Sequence, residues 1–362
     1  MKKFLTLCVV FFSVLAGTAV ADTPSQLKFM AGPPGGNWFA LGGGLADLWT
    51  KDVMPTTSIT GGGVANIINT HLKKGDLGFS TTSMVAVAQA GSDLATFKQK
   101  TTNSKLMANL YTQYTYFIAR KDFAEKYGLK TLDDLIAKKV PTRFATLKTG
   151  TGSEFVVKNV FNYGFGLDYR KALKDWGGSV EYASYSGGAD LIADNHLDLF
   201  AFCVGRVAAI VMQIESTTDV VLLDIEQKTL DKISAGMNTT TFTVEPGIYK
   251  CLPEGSQPVK AVGDYTCIVV RGDLDDAVVT KLCDSMYKNI DVLSKGVKDI
   301  AEFNPDTAIS AGAIASHPAA VKYWAEASKA KATKEKVDAA VDAAKDAAAD
   351  AAKNAVGNLL KK

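Results

Sequence analysis

LKFMAGPPGGN, residues 27–37, sets the pattern on which the fold prediction rests. A short apolar run ends in a glycine- and proline-rich turn, and the residues from Phe39 to Val53 then place apolar side chains at helical spacing. A strand, a tight turn and a helix in this order make one βα unit, from which mostly parallel sheets are built. This segment therefore predicts the first unit of an α/β fold.

The same rhythm recurs along the chain. Ser58 to Thr60 leads into Gly61-Gly62-Gly63 and a helix through Leu72, and Leu77 to Phe79 leads into Ser80 to Ser83 and a helix through Ala90. Later units combine strands at 115–119, 143–146 and 180–182 with helices at 154–162 and 189–194, and Asp133-Asp134-Leu135 opens a further short helix. This alternation predicts an α/β protein with a mostly parallel sheet.

One internal similarity links the two halves. Gly62-Gly63, a helix, His71-Leu72 and Asp76-Leu77-Gly78-Phe79 correspond to Gly187-Gly188, a helix, His196-Leu197 and Asp198-Leu199-Phe200. Two interpretations stay open. The halves share one structural plan, or any αβ unit that opens with glycine has this composition.

The first residues are typical of a cleaved signal peptide. Two lysines precede an apolar run from Phe4 to Ala16, and Ala19-Val20-Ala21 forms an A-x-A cleavage site, so we expect cleavage after Ala21 and export to the periplasm. A membrane anchor is the alternative, but the run is shorter than the ~20 apolar residues that span a bilayer. Thr18 follows Leu15-Ala16-Gly17 where a lipoprotein would carry cysteine, so we expect no lipid anchor.

Length and charge restrict the class of protein. Removal of residues 1–21 takes away two lysines and no acid, which leaves 38 basic and 38 acidic residues of the original 40 and 38. A neutral chain lacks the excess of positive charge that favours binding to nucleic acid or anionic lipid. The remaining 341 of 362 residues exceed a single domain of roughly 100–200 residues, so we expect two domains.

Cysteine and histidine give no clear metal or cofactor site. Four cysteines remain after the signal, and Cys251 and Cys267 flank a Pro/Gly-rich loop, which favours a bridge between them; free buried thiols are the alternative. The sequence contains no C-x-x-C, and the three histidines are scattered. We predict no metal site and no cofactor. The four remaining cysteines are Cys203, Cys251, Cys267 and Cys283.

The C-terminal segment differs in composition from the rest. Residues 331–362 are rich in alanine and lysine and lack aromatic residues and proline, with apolar positions spaced by four and three. This spacing predicts a helix close to a heptad pattern. Because alanine buries little area, we expect a solvated helix, with a partner-binding or oligomerising helix as the alternative.

Five helix-opening loops are rich in glycine and small hydroxyl residues. In a parallel α/β sheet such loops lie at the carboxyl ends of strands, where ligands bind, and each helix N-terminus carries about half a positive charge. Together they predict a receptor for a carboxylate or phosphate; the alternative is that each loop only caps its helix. The loops are Gly35 to Asn37, Gly61 to Gly63, Ser80 to Ser83, Gly150 to Ser153 and Ser186 to Gly188, and they make Gly36 and Gly187 candidate ligand contacts.

No catalytic constellation is found in the sequence. There is no G-x-S-x-G, no H-E-x-x-H and no G-x-x-x-x-G-K-[ST], and Thr149 to Ser153 lacks the lysine of a nucleotide loop. We therefore predict a protein that is not an enzyme. Gly42-Gly43-Gly44 lies inside a helical pattern and favours close packing, while Trp38 and Phe39 either pack in the core or form a wall of a ligand pocket.

These segments, in this order, resemble the TRAP-associated extracytoplasmic immunogenic (TAXI) family of solute-binding receptors. Residues 35–42, GGNWFALG, are similar to the family's G-G-T-Y-Y-P-L-G, and residues 62–66, GGVAN, to its G-S-x-x-N helix start. Residues 77–81, LGFST, resemble its L-G-F-V-Q-S strand end, and residues 150–154, GTGSE, its G-S-G-T-E. The likeness extends from Leu27 to Trp324.

The resemblance implies a two-lobed periplasmic-binding-protein fold of type II, with a cleft between the lobes. From the order of strands and helices we predict lobe 1 at residues 22–115, with part of 237–300 returning to it, and lobe 2 at 116–236. C-terminal helices follow to 328, and the alanine-rich helical tail covers 329–362. Carried over by position, the resemblance puts ligand contacts at Asn37, Trp38, Phe39, Asn66, Ser80, Thr81, Thr151, Gly152 and Ser153.

The function implied is the delivery of a small anionic solute, such as a dicarboxylate, an amino acid or a related organic acid, to a TRAP-type membrane permease. Two departures from the family pattern bear on ligand choice: Asn37 replaces a threonine, and Gly205-Arg206 stands where a small or apolar residue and proline are usual. Arg206 either reaches the cleft as a bidentate carboxylate partner or is a surface residue. A sensory receptor that presents its closed form to a membrane kinase is the alternative function.

Overall fold

A computed structural model describes residues 24–32, 37–309 and 314–359, with side chains through residue 345. The predicted signal peptide and Gly36 lie outside the described residues. The strands are β1 Leu27–Met30, β2 Thr56–Ile59, β3 Leu77–Thr81, β4 Ser104–Arg120, β5 Arg143–Thr146, β6 Ser179–Tyr182, β7 Leu199–Val204, β8 Val220–Leu222, β9 Thr240–Val244 and β10 Val259–Arg271.

Helices alternate with these strands. They are α1 Asn37–Asp52, α2 Gly63–His71, α3 Thr82–Ala90, α4 Leu94–Phe97, α5 Lys121–Tyr127, α6 Leu132–Lys138, α7 Gly152–Asn159, α8 Tyr169–Asp175, α9 Tyr185–Ala193, α10 Ala209–Thr217, α11 Gln227–Met237, α12 Asp276–Lys288, α13 Ile290–Ser294 and α14 Pro318–Leu359. A π-helical turn covers Val160–Gly164 and a 3-10 turn covers Lys298–Glu302. Among the described helices, none is both long and apolar enough to cross a bilayer.

The strands form one sheet with two similar halves. The strand order is β2-β1-β3-β10-β4-β7-β5-β6, with β8 added to β4 and β9 added to β10. β1 pairs in parallel with β2 and β3, and β5 pairs in parallel with β6 and β7. The two halves are therefore the lobes of a two-lobed α/β fold. In each half, the first of the three parallel strands lies between the other two.

Two long antiparallel strands join the lobes. β4 has 17 residues and β10 has 13, and β10 pairs with β3 on one side and β4 on the other. Most of their residues are buried, as expected for strands covered on both faces. The predicted boundary between residues 115 and 116 falls inside β4, so the residues on either side of it belong to one continuous strand.

The internal similarity seen in the sequence corresponds to equivalent hydrogen bonds in the two lobes. The Asp76 carboxylate, before β3, accepts a bond of 2.8 Å from the backbone N–H of Lys28 in β1. The Asp198 carboxylate, before β7, accepts a bond of 2.8 Å from the backbone N–H of Arg143 in β5. Each aspartate fixes the register of two parallel neighbours, so the lobes share one plan.

Large buried aromatic residues fill both lobes and the contact between them. Trp49 and Trp324 lie in the core of lobe 1, where each indole N–H donates to a backbone carbonyl. Between lobes, the rings of Phe97 in α4 and Phe155 in α7 pack edge to face, with centroids 5.8 Å apart. The Lys158 ammonium lies 2.8 Å from the carboxylate of Asp93 beside this contact. At this point the lobes therefore touch through apolar surface and the Lys158–Asp93 ion pair.

Several sequence predictions differ from the structure. Ser80 and Thr81 belong to β3, and α3 follows at Thr82 without a loop. Gly187 lies inside α9, because the Ser184 hydroxyl caps that helix three residues earlier by accepting from the Gly187 N–H at 3.0 Å. These positions remain at strand ends or helix starts, but they do not form open loops.

The predicted bridge between Cys251 and Cys267 is wrong, since all four described cysteines are free thiols. Cys267 lies in the middle of β10, fully buried and paired with both neighbouring strands. Cys251 lies in a turn, where its backbone N–H donates to the Glu215 carboxylate at 2.9 Å. A loop that links two cysteines in sequence does not bring them together when one is held inside a central strand.

The predicted tail helix is the continuation of α14. Ala319, Ala320, Trp324 and Ala327 are buried against lobe 1, and the Lys331 ammonium lies 2.7 Å from the Asp306 carboxylate. Residues 332–345 are all exposed. The helix therefore leaves the body of the protein after Lys331, as predicted for a solvated helix.

Candidate functional site

The two lobes meet at helix starts that follow the strand ends. The side chain of Met84, on α3 of lobe 1, lies where three of these starts converge. A β-carbon built on Gly152, at the start of α7, would lie 3.2 Å from the Met84 ε-carbon, and one built on Gly63, at the start of α2, would lie 2.6 Å from it. Glycine at position 152 lets lobe 2 approach Met84 closely, and glycine at position 63 lets α2 pack against the same side chain within lobe 1.

The base of the cleft is formed by the joining strands. The Thr266 hydroxyl on β10 accepts a bond of 3.2 Å from the Trp38 indole and one of 2.6 Å from the Gln113 amide on β4. Thr266 is paired in register with Tyr111, whose side chain is buried. Trp38, a predicted contact, therefore lies where α1 meets the base of the cleft.

The wall of lobe 2 is made by the end of β7 and the starts of α7 and α9. The Ser153 hydroxyl accepts a bond of 3.0 Å from the Cys203 N–H, and the Tyr185 hydroxyl donates to the Cys203 carbonyl at 2.9 Å. Ser153 is buried, so its hydroxyl serves this internal contact. The structure thus brings the predicted residue Ser153 beside Tyr185, which the sequence reasoning missed.

Thr151 caps α7. Its hydroxyl accepts a bond of 3.2 Å from the Glu154 N–H and donates to the Lys148 carbonyl at 2.7 Å. Both bonds are those expected if this loop caps its helix, which was the alternative to a ligand-binding role. Thr151 and Gly152 remain partly exposed at the cleft side of the helix, so both are accessible in addition to their structural role.

An internal carboxylate occupies the start of α3. Asp264, on β10, is 4% exposed; one of its oxygens accepts a bond of 3.0 Å from the Ser83 N–H, and the other accepts from the Ser83 hydroxyl. Burial raises the pKa of the Asp264 carboxyl, although hydrogen bonds from Ser83 and Thr81 act in the opposite direction. The positive end of this helix is therefore already matched by the protein's own acid. In the sequence, Asp264 is an acid inside the mostly apolar run from Ala261 to Ile268, and this position indicates a buried carboxylate with internal partners.

Asn66 and Ser80 are buried and have internal partners. The Asn66 amide donates to the carbonyls of Met30, Ala31 and Phe79 at 2.8–3.0 Å, and its oxygen accepts from the Gly62 N–H. The Ser80 hydroxyl donates to the Gly63 carbonyl at 3.3 Å. These side chains hold the ends of β1 and β3 and the start of α2 in place, and thereby shape the wall of lobe 1.

The remaining predicted residues lie at the surface. Phe39 is 41% exposed, and Gly187 is half-buried in the first turn of α9. Asn37 is exposed, and its amide donates a bond of 3.0 Å to the Asp299 carboxylate. Arg206 is exposed in the loop after β7, where its backbone carbonyl accepts bonds of 2.9 Å from the hydroxyls of Tyr116 and Tyr249.

These features define the class of the protein. One sheet carries two lobes of equivalent topology, two long strands join them, and the strand ends of both lobes face a common cleft. This is the architecture of the two-lobed solute-binding proteins. The family model described as the NMT1-like family matches residues 29–327. The chain therefore belongs to the NMT1-like family, a periplasmic solute-binding family.

Solved structures with similarity to the chain are also binding proteins. One is MatC from Rhodopseudomonas palustris with bound malate (14% identity, 77% of this chain and 90% of that chain, TM-score 0.45). A TctC solute-binding protein from Polaromonas has 14% identity over 78% of this chain and 89% of that chain, with a TM-score of 0.45. The periplasmic binding protein BugD has 13% identity over 85% and 98%, with a TM-score of 0.45.

Proposed function

We propose that the protein is a periplasmic receptor that binds a small carboxylate-bearing solute between its lobes and delivers it to a TRAP-type membrane permease. Membership of a solute-binding family supports the receptor role. The ordered motifs that resemble the TAXI family support the type of permease. Cleavage of the leader after Ala21 belongs to the same proposal, because a receptor of this kind works outside the cytoplasm.

One observation carries the proposed charge of the solute. The sequence has five arginines, and four of them form ion pairs: Arg120 with Asp122, Arg143 with Asp198, Arg170 with Glu154, and Arg271 with Asp76 and Asp273. Arg206 is the arginine for which the described part of the chain provides no ion-pair partner. It follows directly after Gly205, which contacts lobe 1 across the cleft. A guanidinium in this position can bind a carboxylate through two parallel hydrogen bonds.

The lobe assignment is part of the proposal. We propose lobe 1 at residues 22–115, lobe 2 at 116–236, and a return of residues from 237–300 to lobe 1. The pairing of β10 with β3 supports this return, since it brings residues 266–270 beside the third strand of lobe 1.

A thermal-shift screen of dicarboxylates, amino acids and other organic acids tests the function. A solute at a hundred times its dissociation constant should stabilise the protein by ~2.7 kcal/mol. Arg206→Gln should weaken binding roughly ten- to a hundredfold, since a charged hydrogen bond contributes about 1.5–3 kcal/mol. Lys174→Gln, an exposed cation in the same lobe, is the matched control and should bind like the parent. Equal binding by both variants would contradict the role of Arg206.

A further inference from the structure

Three groups of packed, buried apolar residues form the core of the protein. One group contains residues of both lobes, among them Met84 and Phe97 of lobe 1 and Phe155 and Ile233 of lobe 2. The second group is centred on α1, α12 and α14 of lobe 1, and the third is centred on α9 and α10 of lobe 2. Among the described residues, the apolar core therefore continues from one lobe to the other through a single group.

The shared part of the core lies beside the joining strands. Helix α3 of lobe 1 packs against β4 and β10, and it also packs against α7 and α11 of lobe 2. A hinge rotation displaces atoms near its axis least and the outer edges of the two bodies most. If the lobes rotate about β4 and β10, the contact of α3 and α4 with α7 therefore lies where the displacement is smallest.

Phe97 and Phe155 form the apolar part of this contact. Their side chains are 1% and 2% exposed, and the two rings pack edge to face with centroids 5.8 Å apart. The Lys158 ammonium lies 5.2 Å from the centre of the Phe155 ring, which is within the range of cation–π attraction. Separation of the rings would open a void between close-packed side chains, and such voids are destabilising. The lobes therefore resist separation at this point.

The Asp93–Lys158 ion pair lies at the edge of the aromatic contact. The Lys158 ammonium donates to the Asp93 carboxylate at 2.8 Å and to the Thr96 hydroxyl at 3.1 Å. The Asp93 carboxylate also accepts from the Thr96 N–H at 3.0 Å and thereby caps α4. The Asp93 side chain is 12% exposed, so loss of the lysine would leave a largely buried charge without its cation, which is more costly than loss of an exposed pair. The pair therefore ties the start of α4 in lobe 1 to α7 in lobe 2.

We propose that this pivot contact, formed by Asp93, Thr96 and Phe97 of lobe 1 with Phe155 and Lys158 of lobe 2, is the fixed point of the interlobe motion. It stays formed while the outer edges of the lobes approach and separate. Two strands alone would also let the lobes twist and slide, and the pivot contact restricts them to hinge opening. The binding groups of the two lobes are then held in register before a solute arrives, which lowers the cost of ordering them. The inference concerns the motion of the lobes and does not depend on the proposed solute.

Two pairs of spin labels on the full mature chain, measured without solute, test the proposal. Half-buried Cys251 is replaced by serine, so that the introduced thiols react; the other three described cysteines are buried. The pivot pair is placed at Ala95 on α4 and Asn162 in the π-helical turn after α7, both exposed. The cleft pair is placed at Val207 of lobe 2 and Lys298 of lobe 1, both exposed. The distribution of distances should be narrower for the pivot pair than for the cleft pair.

Variants of the ion pair locate the effect. Lys158→Met keeps the aliphatic chain against Phe155 and removes the charge, so it should broaden the distribution of the pivot pair and lower the melting temperature. Addition of Asp93→Asn removes the unpaired buried charge and keeps an acceptor for the cap of α4, so the double variant should recover part of the lost melting temperature. Lys171→Met is the matched control, because Lys171 pairs with Asp175 on the exposed surface of α8 within lobe 2. It should change neither quantity.

Distributions of equal width for the two label pairs in the parent would overturn the inference, because hinge motion must spread the outer edges more than the pivot. An unchanged pivot pair in Lys158→Met would overturn it as well. Val279→Ala, which truncates a buried side chain in the core of lobe 1, controls for general loss of stability. If it broadens the pivot pair as much as Lys158→Met does, the effect is not specific to the contact and the inference fails. None of these measurements uses a solute, so their result is independent of the proposed function.

Discussion

At the scale of single residues, Asp264 links a joining strand to the start of α3 by bonds to Ser83. Because the folded-state pKa of Asp264 is raised, the folded protein holds this proton more tightly than the unfolded chain. Stability therefore decreases as the pH rises from the ordinary carboxyl value through the folded-state pKa. The positive end of α3 favours the ionised form of Asp264 and so offsets part of the effect of burial.

We expect Asp264→Asn to be at least as stable as the parent at neutral pH and to lose this pH dependence. The amide oxygen can still accept from the Ser83 N–H, and the amide N–H can donate to the hydroxyl. Asp264→Ala should lower the free energy of unfolding by about 1–3 kcal/mol, because it leaves the Ser83 N–H without its partner. Urea unfolding from pH 5 to 8 measures both. A parent stability that rises with pH, relative to the asparagine variant, would contradict the argument.

Glycine and small hydroxyl residues predicted helix starts from the sequence, and the ligand-binding role of these positions stays a prediction. The ends of β1, β3 and β5 and the starts of α1, α2 and α7 were all predicted as ligand loops, because glycine and small hydroxyl residues identify such positions. The hydrogen-bond partners of these polar side chains could not be predicted from the sequence, because the partners come from other segments of the chain. Asn66 and Ser80 bind backbone atoms of other segments, and Asp264 fills a helix start far from it in sequence. Tyr185 was missed because only the fold brings it beside Ser153 and Cys203.

At the scale of elements, short strands were predicted well and long ones were not. β5 has the predicted bounds, since its apolar run is limited on both sides by residues that favour turns. β4 was predicted as five residues and has 17, because a strand buried on both faces shows no alternation. The bridge between Cys251 and Cys267 failed for a related reason: the strand β10 extends across Cys267.

The long helix α14 combines a packed start with an exposed continuation. Truncation after Lys331 should keep solute affinity within about threefold and leave the melting temperature close to that of the parent, because residues 332–345 are exposed. Trp324→Ala is the contrasting variant on the same helix. It removes a buried ring and an indole hydrogen bond of 2.8 Å, and should cost about 3–5 kcal/mol. A large loss of affinity on truncation would mean that the exposed part acts on the lobes.

At the scale of the whole molecule, the two lobes should rotate about β4 and β10 when a solute binds. Spin labels at Val207 in lobe 2 and Lys298 in lobe 1, both exposed and on opposite sides of the cleft, should move closer with saturating solute. Labels at Lys51 and Lys298, both in lobe 1, form the control pair and should keep their distance. An unchanged distance between Val207 and Lys298 would contradict closure.

The order of strands in the sheet also has a consequence for how the chain acquires its structure. β10 lies between β3 and β4 in space, although more than a hundred residues separate it from either in sequence. The central pairing of lobe 1 therefore cannot form until residue 271 has been synthesised. Contacts of such separation slow folding, because a long loop must close before they form. A nascent chain thus stays incompletely folded for most of its synthesis, which is compatible with the proposed export of the chain before it folds.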